Sequence, residues 1–356
     1  MKAHQSRRWG GFALLFLLLV CSSRSTLAVP SPAVARPVPA DALVVANGTV
    51  IDGTGADPIP SGIVVVQRER IVAVGRAADF VVPAGARVVD AAGGTILPGI
   101  INAHTHSTAN PIVRRADFLL RGVTSVCNLG SSLPAMPTFE LEAPLGPVAR
   151  GFCSGPMVTA PGGFPGPYYH QSLNFDVETP DEARAAVAHL LSQGADFIKI
   201  PLERGSPKYP LPVLDLPRVQ AIVQEAHARG VLVRAHIGNP LLPPLALDGG
   251  VDTLEHLPNP RSLGLSASFV RLHRPLLLQG YRIALSRAVR QGIVMVPTLD
   301  VFVGQCYERI NVSEDEKTWC DLCVEIVRQF HDLGASWPWG TISACPSLSR
   351  ACRSRR

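Results

Sequence analysis

From Leu97 to Leu333, short apolar runs alternate with helical stretches, and this alternation constrains the fold more than any other feature of the chain. It is the pattern of βα units feeding a parallel sheet, whose natural closure is a barrel. The first run holds Gly-Thr-Ile-Leu-Pro-Gly-Ile-Ile-Asn-Ala-His-Thr-His-Ser at 94–107, and the later ones fall at 122–128, 148–158, 194–200, 231–236, 251–256 and 292–299. Upstream, residues 42–92 consist of Val/Ile-rich strands broken by Gly, Asp and Pro and read as a small antiparallel sheet.

Several runs finish on residues that bind metals. A strand presents positions i and i+2 on one face, so His104 and His106 aim two imidazoles at one point, a clamp for a divalent ion. The plain alternative is a pair of solvated loop histidines. The fifth and sixth runs end in His236 and His256, twenty residues apart, room for one helix and its turns. Two consecutive βα units thus deliver an imidazole to the same rim. His227 sits in a helical stretch and reads as a surface residue.

Lys199 lies near the end of an apolar strand, where a buried cation is costly unless paired or chemically altered; otherwise its head snorkels to solvent. The loop Thr-Ala-Pro-Gly-Gly-Phe-Pro-Gly-Pro-Tyr-Tyr-His at 159–170 is rich in turn residues and aromatic. Loops after barrel strands form the substrate mouth, which makes Tyr168, Tyr169 and His170 candidates for substrate contact, or else parts of a lid over apolar surface. Glu203, Arg204 and Arg234 stand beside the expected ligands, as groups that orient a substrate carboxylate or carbonyl or as members of structural ion pairs.

With these motifs in place, the stretch from Ala42 to Ala335 resembles the amidohydrolase superfamily, in its imidazolonepropionase-like and dipeptidase-like branch. The resemblance implies an α/β chain: a (β/α)8 TIM-type barrel over 96–336, with a small β-sandwich domain to which 42–95 contributes. It implies one or two divalent ions, zinc or similar, at the barrel mouth, held by His104, His106, Lys199, His236 and His256. Lys199 would be carbamylated by carbon dioxide into an anionic bridge. The reaction implied is hydrolysis of carbon–nitrogen bonds, amide, cyclic amide or dipeptide-like, through a metal-bound hydroxide.

The resemblance next requires an aspartate ending an eighth strand as general base, and no residue matches it. After Ser336 comes Trp-Pro-Trp-Gly-Thr-Ile-Ser-Ala-Cys-Pro and an Arg/Ser-rich end, without periodicity. Codons for 337–346 read one base earlier allow Val-Ala-Leu-Gly-Asn-Asp-Ile-Gly-Leu-Pro, a strand with an acidic turn. Residues 337–356 are therefore expected to be an out-of-frame tail on a truncated barrel that lacks its eighth strand. The second reading of function is a catalytically defective, exported metal- or ligand-binding remnant of the same fold.

Residues 1–28 read as an export signal, with Lys2, Arg7 and Arg8 before an apolar stretch at 12–20 and a small-residue exit at Ala28. The apolar core is too short for a stable membrane span. A periplasmic or secreted protein is expected, with a lipid anchor at Cys21 as a minor alternative, and 29–41 as a linker. The net charge of +5 comes from the two ends, since 1–28 and 337–356 each carry four basic side chains and no acid. The catalytic region is mildly acidic, which gives no sign of a nucleic-acid partner; a small-molecule substrate is expected, and an oligomer remains open. Of eight cysteines, the five between the ends do not make a disulfide framework. Cys320 and Cys323, in a helical stretch at 314–333, are expected to pack or to bond Cys306 rather than to hold zinc.

Overall fold

The computed structural model describes residues 35–106, 111–140, 146–257, 261, 264–304, 306 and 311–335. The expected export signal, most of the linker and the 337–356 tail lie outside the described residues. Contacts divide the chain into two units, with the division between Leu97 and Pro98.

The first unit is one five-stranded sheet and a two-stranded ribbon. Strands β1 (Leu43–Val50), β2 (Ile59–Gln67) and β3 (Arg70–Arg76) run antiparallel, while β4 (Arg87–Asp90) and β5 (Thr95–Ile96) pair with β1 in parallel. The sheet is thus mixed, where the sequence suggested antiparallel pairing throughout. Arg68 and Glu69 join β2 to β3 with φ of 47° and 64°, the left-handed pair that suits strand twist in a two-residue hairpin. Val44, Ile63 and Val65 form its small core.

The second unit holds parallel ladders. Strands β6 (Ile100–Thr105), β7 (Val123–Asn128) and β8 (Arg150–Cys153) form one. Strand β9 (Met157–Thr159) pairs with β10 (Asn174–Asp176). Strands β11 (Ile198–Leu202), β12 (Val233–Ile237), β13 (Thr253–Glu255) and β14 (Val294–Val296) form the third. The run at 148–158 is therefore two strands, parted at Gly155, whose φ is 68° and whose Cβ would meet Met136 Sδ at 2.6 Å. Asp196 stitches β8 to the segment before β11, donating its amide to the Cys153 carbonyl at 2.9 Å and accepting the Cys153 amide on Oδ2 at 2.8 Å. The architecture is mixed α/β with parallel sheets. No closed barrel is present among the described residues, and the segment where an eighth strand was sought lies outside them.

Helices cover one face of the third ladder. Helix α1 (Pro180–Ser192) starts at the Thr179 cap and buries Ala183, Ala186, Val187 and Leu190; α2 (Leu216–Ala228) starts at Asp215 and buries Val219, Ile222, Val223 and Ala226. Both follow the i, i+3, i+4, i+7 stripe of an amphipathic helix. Their apolar faces join Ile198, Ile200 and Leu202 of β11 and Val233, Ala235 and Ile237 of β12 in one cluster. Strand alternation then turns Lys199, Arg234 and His236 to the other face, where the site lies. Helix α3 (Ala267–Arg290) packs on α4 (Glu314–Asp332), which opens on a Ser313/Glu316 capping box. Cys306 and Cys320 are disulfide-bonded and Cys323 is a buried free thiol, the pairing the sequence favoured over a zinc site.

Ile222 is fully buried between α2 and the ladder. Ile222→Ala should lower unfolding free energy by about 2–5 kcal/mol in chemical denaturation. Leu272→Ala, at a side chain 77% exposed on α3, should change it by no more than about 0.5 kcal/mol.

Candidate metal centre

The ladder register builds the site floor. Lys199 pairs with Arg234 and Pro201 with His236 across β11 and β12; Arg234 pairs with Thr253 and His236 with Glu255 across β12 and β13. Paired residues of parallel strands share a face, so Lys199, Arg234, His236, Thr253 and Glu255 form two rows on one side. His256 directly follows Glu255 and by alternation should face away. Its φ of 72° breaks the alternation, a conformation that costs a β-carbon residue about 1–3 kcal/mol, and its Nδ1 then meets Thr298 Oγ1 at 2.7 Å.

The rings converge. Centroids of His104 and His256 are 4.4 Å apart, of His236 and His256 4.5 Å, and of His104 and His106 5.0 Å. Burial holds His104 and His256 well below the usual imidazole range, with the neighbouring cations adding to it. Burial likewise lowers His236. These three imidazoles are neutral at pH 7.

Glu255 sets the tautomer of His104. Its Oε2 lies 2.6 Å from His104 Nδ1, and its Oε1 accepts from Arg234 Nε at 2.8 Å and Thr253 Oγ1 at 2.7 Å. Although burial opposes ionisation, the Arg234 and Lys199 charges and these hydrogen bonds leave its carboxyl below the ordinary range. A carboxylate at Nδ1 keeps the proton there, so Nε2 of His104 carries a bare lone pair. His106 hydrogen-bonds to the Gly130 backbone. The two Nε2 atoms then face each other at 3.1 Å.

The His106 tautomer decides this contact: a protonated Nε2 donates to the His104 lone pair, whereas two bare nitrogens at this distance suit a cation between them. Nitrogens about 2.0–2.1 Å from one tetrahedral ion stand about 3.3 Å apart, close to the observed spacing. Lys199 completes the test: it is fully buried and its Nζ has no hydrogen-bond partner. Its pKa is lowered to about 7, with burial the largest cause, Glu255 opposing it and Arg234 adding to it. A buried amine that is half neutral near pH 7 suits chemical conversion to an acceptor. Among the described residues no trio of His, Cys, Asp or Glu already surrounds one point. The spacing of the histidine pair fits one such ion, His256 packs on both His104 and His236, and the Lys199 charge acts on all four imidazoles.

Above the floor opens a cavity of about 820 Å³, reached by His106, His236 and His256. Tyr168 and Tyr169 line it. His170 does not: its Nδ1 accepts from the Ser172 amide at 3.1 Å and caps a short turn. Arg234, expected on the substrate or in a structural ion pair, takes the second place. Its guanidinium is buried under the histidines, tied to Glu255 and to the Ala103 carbonyl at 2.7 Å and lying over the Phe197 ring. Glu255 carried no sequence signal because strand alternation sets a residue beside a ligand on the opposite face, and Thr298, 42 positions from His256, adjoins no expected ligand.

No family model matches the chain. It is 41% identical over 76 residues to the 5-methylthioadenosine/S-adenosylhomocysteine deaminase of Symbiobacterium thermophilum, covering 21% of this chain and 17% of that protein. It is 35% identical over 114 residues to the N-acyl-D-aspartate deacylase of Alcaligenes xylosoxydans xylosoxydans, covering 31% and 22%. The chain thus matches less than a quarter of the length of either relative. A solved structure assigned as a prolidase from Bifidobacterium longum superposes with a TM-score of 0.60 at 26% identity, over 85% of this chain and 74% of that one. Relatives and structural neighbours alike are amidohydrolases, enzymes that act on carbon–nitrogen bonds.

If Glu255 fixes His104 for metal, Glu255→Gln should weaken zinc binding about 10–100-fold in a competition titration against a chromophoric chelator. Unchanged affinity would mean that the carboxylate serves only Arg234.

Proposed function

We propose, from this kinship with the amidohydrolases, that the chain is a metal-dependent hydrolase of amide, cyclic amide or dipeptide-like bonds, with its parallel ladders as arcs of a (β/α)8 barrel. The observation that carries the reading is the approach of the His104 and His106 Nε2 atoms to 3.1 Å together with the fully buried, unpartnered amine of Lys199. His104, His106, His236 and His256 would hold one or two ions of zinc or a similar metal. Lys199 would join them as a carbamate: its neutral nitrogen bonds the carbon of carbon dioxide, one proton leaves, and the single negative charge is shared by the two oxygens.

Such a metal, when bound, polarises the scissile carbonyl and activates a water for attack. The protein supplies the rest. Glu255 and Thr298 hold His104 and His256 in orientation through their Nδ1 atoms. Arg234 meets the Glu255 charge from below, so that the carboxylate stays ionised in a dry site. The loop bearing Tyr168 and Tyr169 walls the cavity and keeps bulk water from a bound substrate.

Purified protein should carry about one to two equivalents of zinc or a similar ion by elemental analysis. His104→Ala and His236→Ala should each remove most of it. Hydrolysis of a panel of dipeptides and N-acyl amino acids should stop with a chelator and return with zinc; metal retained without turnover on any amide would favour a non-catalytic binding protein. Lys199→Arg should lose activity by at least about a hundredfold, since a guanidinium stays charged and forms no carbamate. Full activity in that variant would make the lysine merely structural.

A further inference from the structure

Glu203 follows the end of β11 and points its carboxylate into the cavity. Oε1 accepts the Gly205 amide at 2.7 Å, which anchors the side chain. Oε2 stands 3.7 Å from His236 Nε2, a long contact with a neutral imidazole that leaves it room to accept a further donor from the cavity. It fills the space that a Cβ on residue 238 would need, so Gly238 keeps the carboxylate's seat open. Glu203 is the acidic side chain of this cavity among the described residues.

Aromatic rings surround the same place. Phe164 stacks on His236 with centroids 4.7 Å apart, and Tyr168 and Tyr169 meet Phe164 at 6.1 and 6.0 Å. The two tyrosines are 51% and 72% exposed, so their rings remain open to a ligand. A carboxylate accepts hydrogen bonds and repels anions, which rules out the substrate carboxylate as the partner of Glu203. Ring faces carry negative potential and attract cations. Carboxylate and rings therefore agree on the sign of charge they receive.

We infer that the cavity contains a subsite for an organic ammonium group, read by Glu203 Oε2 and the rings of Phe164, Tyr168 and Tyr169. The substrates selected are then amides or dipeptides that carry a free protonated amine beside an apolar side chain, in preference to their N-acylated counterparts. The inference rests on the hydrolase reading for its scissile bond. The ammonium subsite itself can be measured without turnover.

The test is calorimetric titration of the zinc-loaded full chain with phenethylammonium and with its neutral N-acetyl derivative. A charge-assisted hydrogen bond to Glu203 should make the ammonium bind about ten- to a hundredfold more tightly. Glu203→Gln should keep its zinc and bring the two ligands within about threefold of each other. Tyr169→Ala, at an exposed loop position, should weaken the ammonium about three- to tenfold and leave the neutral ligand unchanged. Equal affinities in the unaltered protein, binding of neither ligand, or a preference that survives Glu203→Gln would each overturn the subsite. So would loss of zinc from Glu203→Gln, which would assign the carboxylate to the ion. Hydrolysis of phenylalanine amide and N-acetylphenylalanine amide separates the two readings. Turnover without ammonium preference retires the subsite alone; ammonium binding without turnover retires the hydrolase reading alone.

Discussion

A carboxylate cut off from water needs its charge answered by the protein, and Glu255 is answered on every side. Arg234 and Thr253 meet one oxygen and His104 meets the other. Removing one member of such a buried pair strands the remaining charge, at a cost of about 3–5 kcal/mol. The arrangement fixes three strands at once, because Arg234 comes from β12, Glu255 from β13, and both the Ala103 carbonyl and His104 from β6. The same contacts that lock the ladders together choose which nitrogen of His104 is bare. Structure and chemistry at this site therefore share one group.

Much of this was legible beforehand, for a physical reason. Strand ends in an α/β chain gather at one edge of the sheet, so a histidine ending each of two consecutive apolar runs had to arrive near the first pair. His104, His106, His236, His256 and Lys199 follow from that rule without knowledge of any contact. The place of His170, and the choice between substrate contact and ion pair for Arg234, did not follow. Both are polar residues near the expected mouth, and chain position cannot tell a side chain that points into a cavity from one that turns beneath it or caps its own loop. Glu255 stayed hidden because the strand-end rule that found His256 says nothing of the residue before it, which period-two alternation places on the opposite face. The first unit shows a similar limit: β4 and β5 have the composition of antiparallel strands, and their parallel pairing with β1 is decided by where the connections lead.

The strained backbone at His256 resolves that conflict. Two successive residues serve one face only if one leaves the extended region, and φ of 72° does so. Thr298, whose own φ is 46°, supplies the oxygen that receives the turned ring. Positive φ at two β-carbon residues in mutual contact marks a place where the fold accepts local cost to gather groups.

His104 and Glu255 are 151 positions apart. At roughly 5–20 residues per second of synthesis, about 8–30 seconds pass between the appearance of the first and of the second. During that interval His104 has no partner to select its tautomer, and the nascent chain offers only two freely titrating imidazoles in place of a defined ligand pair. On the proposed reading, competence to take up an ion is thus a late event in the life of each molecule, set by the ribosome's arrival at β13.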